Sequence, residues 1–413
     1  MPRCLMTELG GSIMVGSIEE FLRWAGIVIL CLGINACTTV PDSPYQEAWA
    51  ATLLANPPHE KAVPPLGTSS PLIVEFDDAG AANVVQRRAL LETIDRQAAA
   101  GTLLIFVHGW HNNAKPGNEN LKGFTSFLRE MNCKKPSEDP SAKCESSNQY
   151  TGVYIGWRGD SQNLLGIEHE VADFWTFWDR QSTSVKIGEK GLKSLLEDLD
   201  ARVASKKVDR YAVIGHSLGG SVVLHAVKDR LKHDDVVDDN LYVLINPAVA
   251  ATEYLPYRLL KNKGRIPKLV TLQAKNDYAV RYGFRIATLT APMGDTSTNK
   301  SHDLNACDPS ASGCADTLAK RWKEANVIDS CFTMLQGHNW VITTRNDNGR
   351  GRETCEESNH LLGWVVWAKD GSVEAHNGIL TSAQARALHG LLEINRKRDE
   401  AYVSAPAIKQ DGE

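Results

Sequence analysis

The chain has 413 residues, 42% of them hydrophobic and 23% charged, with a formal net charge of −5. That is the composition of a folded protein with a large core, which excludes a disordered or fibrous chain, and the length suits one large α/β domain with insertions. No strongly basic face is evident, which argues against nucleic acid as a partner, and no internal repeat is present.

The first feature in chain order is an apolar run without charge from Trp24 to Ile34. It is short for a membrane span but right for the apolar core of an export signal. The sequence Ile34-Asn35-Ala36-Cys37 follows. It resembles a bacterial lipoprotein processing site, which implies cleavage before Cys37, lipidation of that cysteine and attachment to the membrane on the periplasmic side of the envelope. A plain cleaved signal, an uncleaved anchor and a buried helix are the alternatives. Translation starting at Met14 would suit such a signal. Residues 1–37 are therefore expected as signal and residues 38–69, rich in Pro, Ala and Thr, as a tether to the domain.

The domain is expected over residues 70–397. Pro71–Phe76 reads as a first strand, and Asn83–Ala100 as a helix with Val85, Ala89, Leu90 and Ile94 on one face. Thr102–Val107 is a continuous apolar run, as for a strand buried on both faces. A helix over Lys122–Met131, a strand over Gly152–Trp157 and an amphipathic helix over Glu189–Ser205 come next. Between them, Asn163–Trp178 is rich in aromatic and aliphatic residues. It reads as a crossover helix packed on the sheet, or else as a lid or acyl pocket wall. Further strands are expected from Tyr211, over Leu241–Ile245, over Lys268–Gln273 and over Gly363–Ala368, with a closing helix over Ser382–Arg396 and a loose tail over 398–413. Short apolar strands alternating with helices predict a mostly parallel central sheet with helices on both faces. Residues 296–356 are polar, hold four cysteines and break this rhythm, as an insertion before the last strand would.

The most informative stretch is Tyr211-Ala212-Val213-Ile214-Gly215-His216-Ser217-Leu218-Gly219-Gly220. An apolar strand, a Gly-flanked serine and a helical stretch in succession predict a nucleophilic Ser217 on a sharp turn. Side chains in place of Gly215 and Gly219 would collide across such a bend. Hydrolysis by serine also needs a base, an acid to orient it, and N–H donors for the oxyanion. In an elbow enzyme, the acid and then the histidine follow in loops after later strands. Asp277, two strands on, fits the acid. His376, after the last strand, fits the base, with His338 as its rival and His302 and His360 behind them. The oxyanion donors are expected to be the backbone N–H of Leu218, at a helix start, and of Trp110, in His108-Gly109-Trp110-His111-Asn112-Asn113.

These pieces, together with Tyr154-Ile155-Gly156-Trp157-Arg158-Gly159, resemble the α/β-hydrolase superfamily over most of residues 70–397, in a bacterial branch of esterase or lipase type. The resemblance implies ester hydrolysis by a Ser-His-Asp triad through an acyl-enzyme, without cofactor or metal, on a small-molecule or lipid ester. A catalytically inactive envelope-anchored scaffold and an acyltransferase are the competing classes. With Cys4, Cys31 and Cys37 set aside, Cys133, Cys144, Cys307, Cys314, Cys331 and Cys355 form an even set in loop-like sequence. They are disulfide candidates in an oxidising compartment, with connectivity open, and lack metal-site spacing. The sequence carries no signal of oligomeric state.

Overall fold

The computed structural model describes residues 44–55, 70–96, 101–133, 149–159, 169–232, 240–250, 253, 268–274, 277–284, 288, 363–368, 375–381, and Gln384, Ala385, Leu388, His389 and Leu392. The expected signal with Cys37, the insertion with Cys307, Cys314, Cys331 and Cys355, the tail, and Cys144, His302, His338 and His360 lie outside the described residues.

Among the described residues, seven strands form one sheet: β1 (Leu72–Glu75), β2 (Thr102–Val107), β3 (Tyr150–Gly156), β4 (Arg210–His216), β5 (Leu241–Ile245), β6 (Leu269–Ala274) and β7 (Gly363–Ala368). Their order is β1-β3-β2-β4-β5-β6-β7, and every adjacent pair is parallel. Alternate residues of the apolar runs serve opposite faces, so both faces must be covered. In β2, Leu103, Ile105 and Val107 join one core layer, while Leu104 and Phe106 join the other. The first layer is closed by α2 (Val84–Arg96), by the crossover between β3 and β4, and by α6 (Leu218–Lys232). The second is closed by α3 (Glu119–Met131) through Phe124, Phe127, Leu128 and Met131, and by Ala385, Leu388 and Leu392 of the closing segment.

Three details differ from the sequence expectation. The crossover before β4 is one helical run, α4 (His169–Lys186), a π-helical segment (Ile187–Leu192) and α5 (Lys193–Ala204), rather than two separate helices. The π segment falls where glycines press against neighbours. A Cβ on Gly188 would stand 2.5 Å from the Val222 carbonyl oxygen, and one on Gly191 2.3 Å from that of Gly80. Helix α3 begins at Glu119, ahead of the expected Lys122, because Asn118 caps it by accepting from the N–H groups of Asn120 and Leu121. The stretch expected as a tether contains a helix, α1 (Glu47–Ala55), with Ala50 fully buried against the domain. Among the described residues, no helix is long and apolar enough to cross a membrane.

Candidate active site

Ser217 sits between the last residue of β4 and the first of α6, with φ +54°. A non-glycine residue in this left-handed region is strained, and surrounding contacts must hold it there. The Ser217 N–H donates to the Ile245 carbonyl at 3.1 Å, and its own carbonyl accepts from Gly220 and Ala248 at 2.9 and 3.0 Å. The glycines are enforced by contact. A Cβ on Gly219 would lie 2.2 Å from the Val107 carbonyl oxygen, and one on Gly215 2.5 Å from that of Gly219.

The serine hydroxyl meets an imidazole. Ser217 Oγ is 3.0 Å from His376 Nε2, and His376 Nδ1 is 3.0 and 3.1 Å from the two Asp277 carboxylate oxygens. Asp277 is 1% exposed and follows β6 at the sheet's carboxyl edge. Its carboxylate also accepts from the Val280 N–H at 3.0 Å and from Gln273 Nε2 at 3.3 Å. A carboxylate facing Nδ1 leaves the proton on that nitrogen and makes Nε2 the acceptor for the serine O–H. The serine, histidine and aspartate singled out by sequence are thus brought together.

Two further residues hold His376, and sequence reading gave them no such role. Asn246, fully buried at the end of β5 with φ +44°, donates from Nδ2 to the Ala375 and His376 carbonyls at 2.9 and 3.2 Å. Its Oδ1 accepts from the Ala274 N–H at 2.8 Å, which ties the histidine loop to β6. From sequence alone His216 reads as pointing elsewhere on the elbow, but its Nε2 contacts the His376 carbonyl oxygen at 2.8 Å, with the two rings 4.9 Å apart. Burial, followed by the neighbouring His376, pushes His216 down to about 3, so the ring is neutral and its proton sits on Nε2. The signals existed: Asn246-Pro247 closing a strand, and a histidine adjoining the nucleophile.

Trp110 lies in the loop after β2. The backbone register places Val107 beside Gly215, which brings this loop against the elbow. A Cβ on Gly109 would stand 2.8 Å from Ser217 Cβ. The loop's shape is fixed by residues after β3. Trp157 donates its backbone N–H to His108 Nε2 at 3.0 Å and its indole N–H to the His108 carbonyl at 2.9 Å. His108 Nδ1–H therefore donates to the Gly109 carbonyl, at 2.9 Å. Burial lowers the His108 pKa to about 4. His111 donates to Gly159 at 2.8 Å, and Gly159 to Asn112 at 3.0 Å. Among the described residues, the backbone N–H groups of Trp110 and Leu218 donate to no backbone acceptor outside the regular elements. Leu218 opens α6, where the helix dipole favours negative charge.

Ser217 opens onto a cleft of about 680 Å3, within the range of small-molecule sites. One wall carries Trp110, Phe177, Val280 and Phe284; Phe177 stands edge-on to both aromatic neighbours, at 5.4 and 6.1 Å between centroids. Phe177 comes from the aromatic crossover, and this residue lines the cleft as well as packing in the core. Glu119, Asn120 and Asn377 also line the cleft. From sequence alone Arg158 reads as an anion binder or as a partner of Asp160 or another carboxylate; it is 8% exposed, and its carbonyl accepts from Arg180 at 2.8 Å.

A crystal structure described as a candidate cell surface hydrolase from Lactobacillus plantarum WCFS1 is similar at 13% identity, covering 46% of this chain and 78% of that one, with a TM-score of 0.22. No curated protein matches the chain. Residues 85–303, more than half of the chain, match the family described as alpha/beta hydrolase of unknown function, DUF900, and the protein belongs to that family of hydrolases.

Proposed function

We propose that the protein is a serine hydrolase that cleaves carboxylic esters through an acyl-enzyme. The observation that carries this reading is the chain of contacts from Ser217 Oγ through His376 to Asp277, at 3.0 Å for each link. In the first half-reaction, His376 Nε2 takes the Ser217 proton as the oxygen attacks the ester carbonyl carbon. Asp277 keeps the imidazole in the required tautomer and offsets the imidazolium charge. The carbonyl oxygen becomes an oxyanion between the Trp110 and Leu218 N–H groups. His376 then gives its proton to the leaving alcohol, and the acyl group stays on Ser217. Water, activated by the same imidazole, releases the acid in the second half. The aromatic wall suits an apolar acyl group.

The reading extends to location. A disulfide at Cys133, two residues past α3, belongs to the same reading and suits an oxidising compartment such as the periplasm. Attachment through a lipid on Cys37 is part of the same proposal.

Pre-steady-state hydrolysis of p-nitrophenyl butyrate tests the enzymology. A burst of nitrophenol with an amplitude near one per protein, lost in His376→Ala and in Ser217→Ala, is expected. Turnover that survives in folded His376→Ala would overturn the assignment of the base.

A further inference from the structure

The chain leading into the domain docks on the same edge of the sheet as Ser217. The backbone N–H groups of Tyr45 and Gln46 each donate to the carboxylate of Glu75, the last residue of β1, at 2.9 Å. Gln86 donates to the same carboxylate at 2.8 Å, and the Gln46 side chain donates to the Ala114 carbonyl at 2.9 Å. Glu75 is 8% exposed, and its charge sits at the N-terminus of α1, where the helix dipole favours it. Ala114 belongs to the stretch after β2 that also carries Trp110. The point where the chain enters is therefore fixed at the carboxyl end of β1. Three strand spacings, about 14 Å, separate it from the end of β4.

A second observation is independent of that docking. Among the described residues, the exposed large hydrophobic side chains are Val84, Trp178 and Tyr278, at 77%, 45% and 64% exposure. All three lie at the catalytic edge. Val84 opens α2 just after β1, Tyr278 follows Asp277, and Trp178 follows Phe177, which lines the cleft. Trp and Tyr are the residues that settle at a membrane–water interface. At the opposite edge, the exposed residues leading into β4 are Ser205, Lys206, Lys207 and Asp209.

We infer that the catalytic edge of the sheet faces a phospholipid surface; this rests on the lipid anchor at Cys37 proposed above. Seven residue steps lead from Cys37 to Pro44 and reach at most about 25 Å when fully extended. A domain of this size is roughly 50 Å across. The anchor joins the domain at the catalytic edge, so the shortest connection to the bilayer brings that edge to it, and the three exposed side chains meet the interface. Esters carried by amphiphiles then reach Ser217 directly from the lipid.

The test uses the lipidated protein in phosphatidylethanolamine–phosphatidylglycerol vesicles with an energy-transfer acceptor on the headgroups. A donor is attached to one introduced cysteine, Lys115→Cys at the catalytic edge or Asp209→Cys at the opposite edge, both exposed positions. The length of β4 separates the two edges by about 23 Å. Transfer several-fold stronger from position 115 than from 209 is the expected result. Equal transfer, or the reverse order, overturns the inference, as does an N-terminal peptide that carries no acyl group at Cys37. An active-site probe that fails to label Ser217 while position 115 still gives the stronger transfer would strike the hydrolase reading alone.

Discussion

Replacing Asn246 by glycine removes the clamp on the histidine loop without straining the backbone, because glycine accepts the φ of +44° found there. The side chain makes three hydrogen bonds, two to carbonyls of the loop and one from the Ala274 N–H. The two bonds to the loop carbonyls cost about 1 kcal/mol net each, and the buried Ala274 N–H left without a partner costs about 1–3 kcal/mol, so stability should fall by roughly 3–5 kcal/mol. His216 still holds the His376 carbonyl at 2.8 Å, so the loop is loosened rather than released. A displacement of the imidazole by about 1 Å costs on the order of 100-fold in rate. The expected phenotype is therefore a kcat for p-nitrophenyl butyrate lowered by about ten- to a hundredfold. KM should change little, because Asn246 does not line the cleft. Steady-state kinetics well below the unfolding temperature, with urea unfolding alongside, measure both effects. Folded Asn246→Gly with kcat within about twofold of the parent would refute the claim that this side chain positions His376.

Acid should destabilise the fold through two buried neutral imidazoles. The folded pKa values of His108 and His216, about 4 and about 3, lie below the ordinary 6.5, so the unfolded chain binds more protons as pH falls below 6.5. At pH 5 the two together cost about 4 kcal/mol. His225 works in the opposite sense. Burial opposes its charge, but Glu253 at 2.9 Å and the Ser221 carbonyl outweigh that and raise its pKa, so its contribution is present at low pH and lost on raising it. The unfolding temperature should drop steadily from pH 6.5 to 4.5, more steeply in His225→Gln, and a flat profile would contradict this. Two glycines should behave oppositely. Gly219→Ala drives a methyl group to 2.2 Å from a backbone oxygen and is expected to prevent folding or cost about 3 kcal/mol or more. Gly123→Ala, inside α3 with only Leu380 in ordinary contact, should stabilise by about 1 kcal/mol in urea unfolding.

The sheet was legible because its strands are short apolar runs such as Thr102–Val107, buried on both faces, set between polar turns. The elbow was legible because a serine bend that tight admits only glycine at positions 215 and 219. What sequence could not supply was anything that depends on contacts between distant segments. Asn246 and His216 act on a loop 129 and 160 residues away; the sequence marks each residue locally but not the partner it meets. The fusion of α4 and α5 through a π segment depends on where Gly188 and Gly191 touch α6 and the loop after β1. Helix α1 escaped notice for a similar reason. Its Pro- and Ala-rich surroundings read as linker, and its N-terminus is capped by Glu75 from another part of the chain.

A fluorophosphonate reacts only with a serine oxygen whose proton has somewhere to go. Peptide mapping by mass spectrometry after exposure of the folded protein to such a reagent should find a stoichiometric adduct on residue 217, absent from Ser217→Ala and strongly slowed in Asp277→Asn. An intact, correctly folded chain that emerges with its mass unchanged would mean that the hydroxyl, however well aligned with His376, is not a nucleophile.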